Sequence, residues 1–130
     1  MHDTSIDTIR LDADTKIQLS TLKRRTGIEN WNVLCRWAFC LSLADRMPIR
    51  ERGERGGGAI EMSWKTFAGE DDEIFRLLLV DRCQRDHKCA DRETMSKALR
   101  QHIARGTARL MSRRSMKSIS DFVELAVAAG

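Results

Sequence analysis

The chain has 130 residues, 42% hydrophobic and 32% charged, with 23 basic against 19 acidic side chains and a net charge of +4. That length suits one domain, here residues 1–130, with a core that needs no disulfide or structural metal, and the balance excludes a wholly disordered chain. No apolar run reaches the ~18–20 residues of a membrane span, residues 1–5 read as no leader peptide, and one proline with no tyrosine argues against an all-β fold. The expectation is a soluble, cytoplasmic, mainly helical protein.

In chain order, Ile9 and Leu11 alternate with Thr8 and Arg10, the period of a short strand with one apolar face. Asp12 or Asp14 caps a first helix over about 15–26, with Ile17, Leu19 and Leu22 on its apolar side. Gly27 is placed to end that helix in the left-handed conformation. A second helix starts near Asn30 or Asn32 and runs to Ala44, apolar nearly all round with Arg36 its only charge. Such a helix must be buried, and in a small chain that points to cover from another subunit.

Residues 46–59 form a flexible glycine- and arginine-rich loop around the single proline, Pro48. It lacks the order of a nucleotide-binding P-loop. Ile60, Met62 and Trp64 alternate with charged and polar residues as a second short strand. A third helix follows over about 70–85. Its opening run, Glu70-Asp71-Asp72-Glu73, suits the positive end of the helix dipole better than a metal, because adjacent carboxylates point in different directions. Asp91 caps a fourth helix with Thr94, Met95, Ala98, Leu99, His102 and Ile103 on its inner face. Ser118 or Ser120 opens a last short helix through Val127.

The basic excess lies in the last third of the chain, where residues 91–130 hold 8 basic against 4 acidic side chains. A basic element attracts polyanions, nucleic acid first. The cysteines are Cys35, Cys40, Cys83 and Cys89. Cys35 and Cys40 read as small hydrophobes of the second helix. Cys83, His87 and Cys89 match no common zinc spacing, and no metal or cofactor is expected. The histidines, at 2, 87 and 102, form no nucleophile–base pair at convincing spacing, so the chain does not read as an enzyme.

Strand, helix, tight glycine turn and buried helix is the order of a ribbon-helix-helix unit. Within it stand Ile9-Arg10-Leu11, Leu22-Lys23-Arg24-Arg25-Thr26-Gly27, Leu34-Cys35-Arg36 and Cys40-Leu41-Ser42-Leu43. Thr66-Phe67-Ala68-Gly69-Glu70 and His102-Ile103-Ala104-Arg105-Gly106 follow. In this order the fragments resemble the DNA sulfur modification protein DndE family from about Ile9 to Val127. The resemblance implies a mainly α, ribbon-helix-helix-like domain with a short N-terminal strand, assembling as a homo-tetramer. It also implies a non-catalytic, nicked-duplex-binding accessory of DNA phosphorothioation. Its partners there would be an iron–sulfur sulfurtransferase and an ATPase. The loop at 50–58 departs from the family's pattern.

Lys16, Lys23, Arg24 and Arg25 are the leading candidates for phosphate contact, with the resemblance falling on the helix end from Lys23 to Gly27. Arg105, Arg109 and Arg113, spaced i, i+4 and i+8, form a second candidate patch if the fourth helix continues past Gly106. Pairing with the acidic start of the third helix or with Glu93 is the other reading of that patch. Arg36 is expected to pair with a carboxylate, and His102 to be a satisfied core histidine. Two alternatives stay open: a cysteine-based sulfur carrier using Cys83 and Cys89, and a ribbon-helix-helix transcription regulator.

Overall fold

The computed structural model describes residues 6–49, 58–112 and 123. Apart from Val123, the expected helix through Val127 lies outside the described residues, as do Arg113 and residues 50–57 of the loop. Among the described residues the order is β1 (Thr8–Asp12), α1 (Ala13–Thr26), α2 (Trp31–Ala44) and β2 (Gly58–Ser63). Then come α3 (Trp64–Ala68), a 3-10 turn (Gly69–Asp71), α4 (Asp72–His87) and α5 (Arg92–Ser112). The chain is mainly helical, with one small sheet near its N-terminus.

That sheet is antiparallel, pairing Ile9 with Met62, Arg10 with Glu61 and Leu11 with Ile60. Period-2 alternation sends Ile9 and Leu11 into the core, while Arg10 faces outward within 3.8 Å of Glu61. Asp12 ends β1 and caps α1 by accepting a hydrogen bond from the Thr15 amide at 2.9 Å. Gly27, at φ 74°, ends α1 in the left-handed region, its amide bonding the Lys23 carbonyl.

Three sequence expectations change here. Ile17 is 64% exposed, because it sits about 200° round the helix from Leu19 and cannot share its face. The buried side of α1 is Thr15, Leu19 and Leu22. Trp64 does not extend β2. Ser63 accepts from the Thr66 amide at 3.0 Å and so starts α3 at Trp64. α3 is thus a further short helix ahead of the expected third one, which is α4, and Gly69 with φ 62° separates the two. Neither expected asparagine caps α2 through its side chain. Asn30 makes no such bond, and the Asn32 amide donates to the Thr66 carbonyl at 3.1 Å.

The core forms where α5 crosses α2. Gly106 lies so close to α2 that a Cβ there would stand 1.7 Å from the Ala38 carbonyl oxygen. A glycine mid-helix ordinarily weakens it; here it permits the crossing, and α5 runs through it without a break. Phe39, Phe67 and Phe75 meet with ring centroids 5.4–6.0 Å apart. Leu34, Leu79, Met95, Leu99 and Ile103 fill the space around them. On α2, Leu34, Cys35, Ala38, Phe39 and Ser42 are buried. Trp37 and Leu41 are half-buried, and Cys40 is exposed rather than acting as a core hydrophobe.

Candidate nucleic-acid interface

The buried side of α1 fixes where its basic residues go. Lys16 and Lys23, seven residues apart, share one flank, and Arg24 stands opposite the buried side. Lys16 and Arg24 are exposed and Lys23 is half-buried. The Lys23 ammonium lies 5.4 Å from the centroid of the Trp31 ring, which holds it over the α1–α2 turn. Arg24 donates to Thr21 Oγ1 at 3.4 Å. Arg25 lies on the other flank and donates to the Met111 carbonyl at 3.3 Å, near the C-terminal end of α5. The structure thus brings Lys16, Lys23 and Arg24 to one side of α1 and gives Arg25 a tie to α5 as well.

Arg105 and Arg109 do lie one turn apart on a continuous α5, yet they face neither the acidic start of α4 nor Glu93. They meet the end of α2. Arg105 donates from Nε to Ser42 Oγ and from Nη2 to the Ser42 carbonyl, both at 2.8 Å. Its Nη1 bonds the Met47 carbonyl at 2.8 Å. Arg109 bonds the Asp45 carboxylate. Hydrogen bonds from the Met47 amide and from Arg109 hold the Asp45 carboxyl below its ordinary range.

Arg82 of α4 completes this clamp, and its role was missed in the sequence. It donates to the Leu43, Asp45 and Met47 carbonyls at 3.0, 2.6 and 3.0 Å and to Asp86 at 2.8 Å. A signal was present: Phe75, Leu79, Arg82 and Cys83 fall at the spacing of a buried helix face. An arginine there must carry its own partners inward. Arg36 contacts the Asn32 carbonyl through Nε at 3.4 Å rather than a carboxylate.

Ser42 and His102 stand 2.8 Å apart at 0% and 2% exposure. Ser42 Oγ also accepts from Arg105 Nε, and the tautomer of the His102 ring sets which of the two donates across their contact. Burial, reinforced by Arg82 and Arg105, pushes the His102 pKa down to about 3. Sealed from solvent, this serine–histidine pair is a core hydrogen bond without substrate access. Burial likewise pushes the Cys35 thiol up to about 12 and the Cys83 thiol up to about 11. Cys89 is half-buried. It lines a cavity of about 430 Å³ with His87, Glu93 and Lys97. Among the described residues no three His, Cys, Asp or Glu side chains gather as metal ligands.

The family model described as DNA sulphur modification protein DndE matches residues 8–118. No curated protein matches. Among solved structures, the chain is similar to DndE from Escherichia coli B7A, involved in DNA phosphorothioation modification. The identity is 24% and the TM-score 0.68, over 81% of this chain and 96% of that one. It is also similar to a mutant DndE involved in DNA phosphorothioation, at 23% identity and TM-score 0.64, over 84% of this chain and 100% of that one. At these identities the structural likeness establishes the fold.

Proposed function

The chain belongs to the DndE family, and on that premise we propose that it is a non-catalytic, DNA-binding accessory of DNA phosphorothioation. In this reading it holds the backbone of duplex DNA and prefers a nicked site. Lys16, Lys23 and Arg24, set together on the solvent side of α1, contact phosphates, and Arg25 and the half-exposed Arg109 extend the basic surface. Such contacts fix the position of the protein and read no sequence. Arg105 serves the end of α2. The observation that carries the proposal is that Lys16, Lys23 and Arg24 all lie away from the buried Thr15, Leu19 and Leu22 side of α1, on a helix held by its Asp12 cap and Gly27 turn.

The proposed assembly is a homo-tetramer in the cytoplasm, closed over the outer side of α2, where Val33, Arg36, Trp37 and Cys40 line an apolar groove. An iron–sulfur sulfurtransferase and an ATPase of the same system are its proposed partners. No helix among the described residues is long and apolar enough to cross a membrane. The in-chain pairing of β1 with β2 favours this reading over a ribbon-helix-helix regulator, in which the first strand pairs with that of a second copy. The high pKa of Cys83 weighs against a carrier, since the thiolate is the reactive form.

Fluorescence anisotropy of one labelled duplex, intact and singly nicked, across a salt series tests the proposal. Tighter binding to the nicked form is expected, with a salt slope that shrinks by roughly one for each phosphate contact removed in a Lys23→Ala, Arg24→Ala double variant. Equal and feeble binding to both forms would overturn it.

A further inference from the structure

α4 buries Phe75, Leu79 and Cys83 on its inner side. Its outer side leaves Ile74, Leu77 and Leu78 58%, 61% and 41% exposed. Spaced i, i+3 and i+4, the three form one aliphatic patch. Single exposed leucines are ordinary on protein surfaces, whereas a contiguous patch marks a contact surface.

The same face is charged at both ends, with opposite signs. Glu70 and Asp71 stand exposed in the 3-10 turn just ahead of α4, and Glu73 in its first turn. Asp81, Arg85 and Lys88 continue the stripe at i+7, i+11 and i+14 from Ile74, and all three are exposed. Acidic end, aliphatic middle and basic end make an order that is its own complement when reversed. A two-fold axis between Leu77 and Leu78 sets Leu77 against the second copy's Leu78, and Glu70 against the second copy's Arg85. Asp81 falls beside the second copy's Ile74, with its charge held by Arg85 Nε at 3.2 Å. The guanidinium carries further N–H donors for Glu70. Parallel packing would instead set Glu70, Asp71 and Glu73 against themselves. A foreign helix would have to reproduce this order, whereas a second copy brings it.

We propose that α4 forms an antiparallel two-fold contact with α4 of a second copy of this chain, centred between Leu77 and Leu78. The two aliphatic patches close over each other, and the ends pair Glu70 and Asp71 with the second copy's Arg85 and Lys88. A closed tetramer built on two-fold axes needs two kinds of contact; the outer side of α2 supplies one and α4 the other. The inference rests on the reading that the chain self-associates, and it names the residues of a contact which that reading leaves open.

Sedimentation velocity of the full-length chain over a concentration series, without DNA, tests it. Wild type is expected to sediment as a tetramer, and Leu77→Asp as a dimer held by the remaining α2 contact. Arg85→Glu should raise the dissociation constant of the tetramer at least tenfold. Adding Glu70→Arg to Arg85→Glu exchanges the two signs and should restore the tetramer. These positions are exposed, so circular dichroism of each variant should match wild type. A Leu77→Asp variant that stays tetrameric would overturn the proposal. So would a Glu70→Arg, Arg85→Glu variant that assembles no better than Arg85→Glu alone. A wild-type dimer that Leu77→Asp makes monomeric would uphold the α4 contact and overturn the tetramer reading. A wild-type monomer would overturn both.

Discussion

Gly106 shows how one missing Cβ shapes the molecule. The α2–α5 crossing brings the Ala38 carbonyl to the position that a side chain would fill, so Gly106→Ala must push the two helices apart. The expected loss is about 3 kcal/mol or more of stability, or failure to fold, read from urea denaturation. His102 carries a different prediction. Its native pKa of about 3 lies below the ordinary 6.5, so below pH 6.5 the unfolded chain binds a proton that the native ring refuses. Stability is therefore intact above that value and falls as pH drops from 6.5 toward 3, by up to about 1.4 kcal/mol per unit from this group. Denaturation midpoints at pH 7, 5.5 and 4.5 should decline less steeply in His102→Gln than in wild type.

At the scale of the element, caps and stops were legible where the chemistry is local. Asp12, Gly27 and Asp91 act as their residue types suggest, Asp91 accepting from the Thr94 amide at 2.8 Å. Ser63 was passed over because Ile60, Met62 and Trp64 continue an alternation that a strand and a capped helix start share. Lys88 ends α4 at φ 57°, a left-handed position with no glycine to announce it. Lys88→Gly should relieve that conformation and stabilise by roughly 1 kcal/mol, raising Tm by about 3 °C in a thermal melt. Lys88→Val should lower it.

Across the whole molecule, two groups of arginines and lysines that look alike in the sequence have different surroundings. Those of α1 lie on the solvent side of a helix that buries Thr15, Leu19 and Leu22. Arg82, Arg105 and Arg109 converge on residues 42–47 and hold the end of α2 against α4 and α5. Arg105→Ala should thus lower Tm by several degrees, because it frees the Ser42, Asp45 and Met47 acceptors, and should leave the salt slope of DNA binding unchanged. The Lys23→Ala, Arg24→Ala variant should do the opposite. Melting curves and anisotropy on the same two proteins check the separation.

The sequence by itself determined the helical class, the N-terminal strand, a cap at Asp12 or Asp14 and another at Asp91, the turn at Gly27 and the family, because periodicity, capping and motif order are properties of neighbouring residues. Only the tertiary structure decided that Gly106 is a crossing rather than a helix end. It alone paired β1 with β2, joined Arg105 to Ser42 across 63 positions of chain and left Ile74, Leu77 and Leu78 uncovered. Each of these depends on which surfaces meet after the chain has closed on itself, and a charged or apolar side chain carries no local mark of the partner it will find.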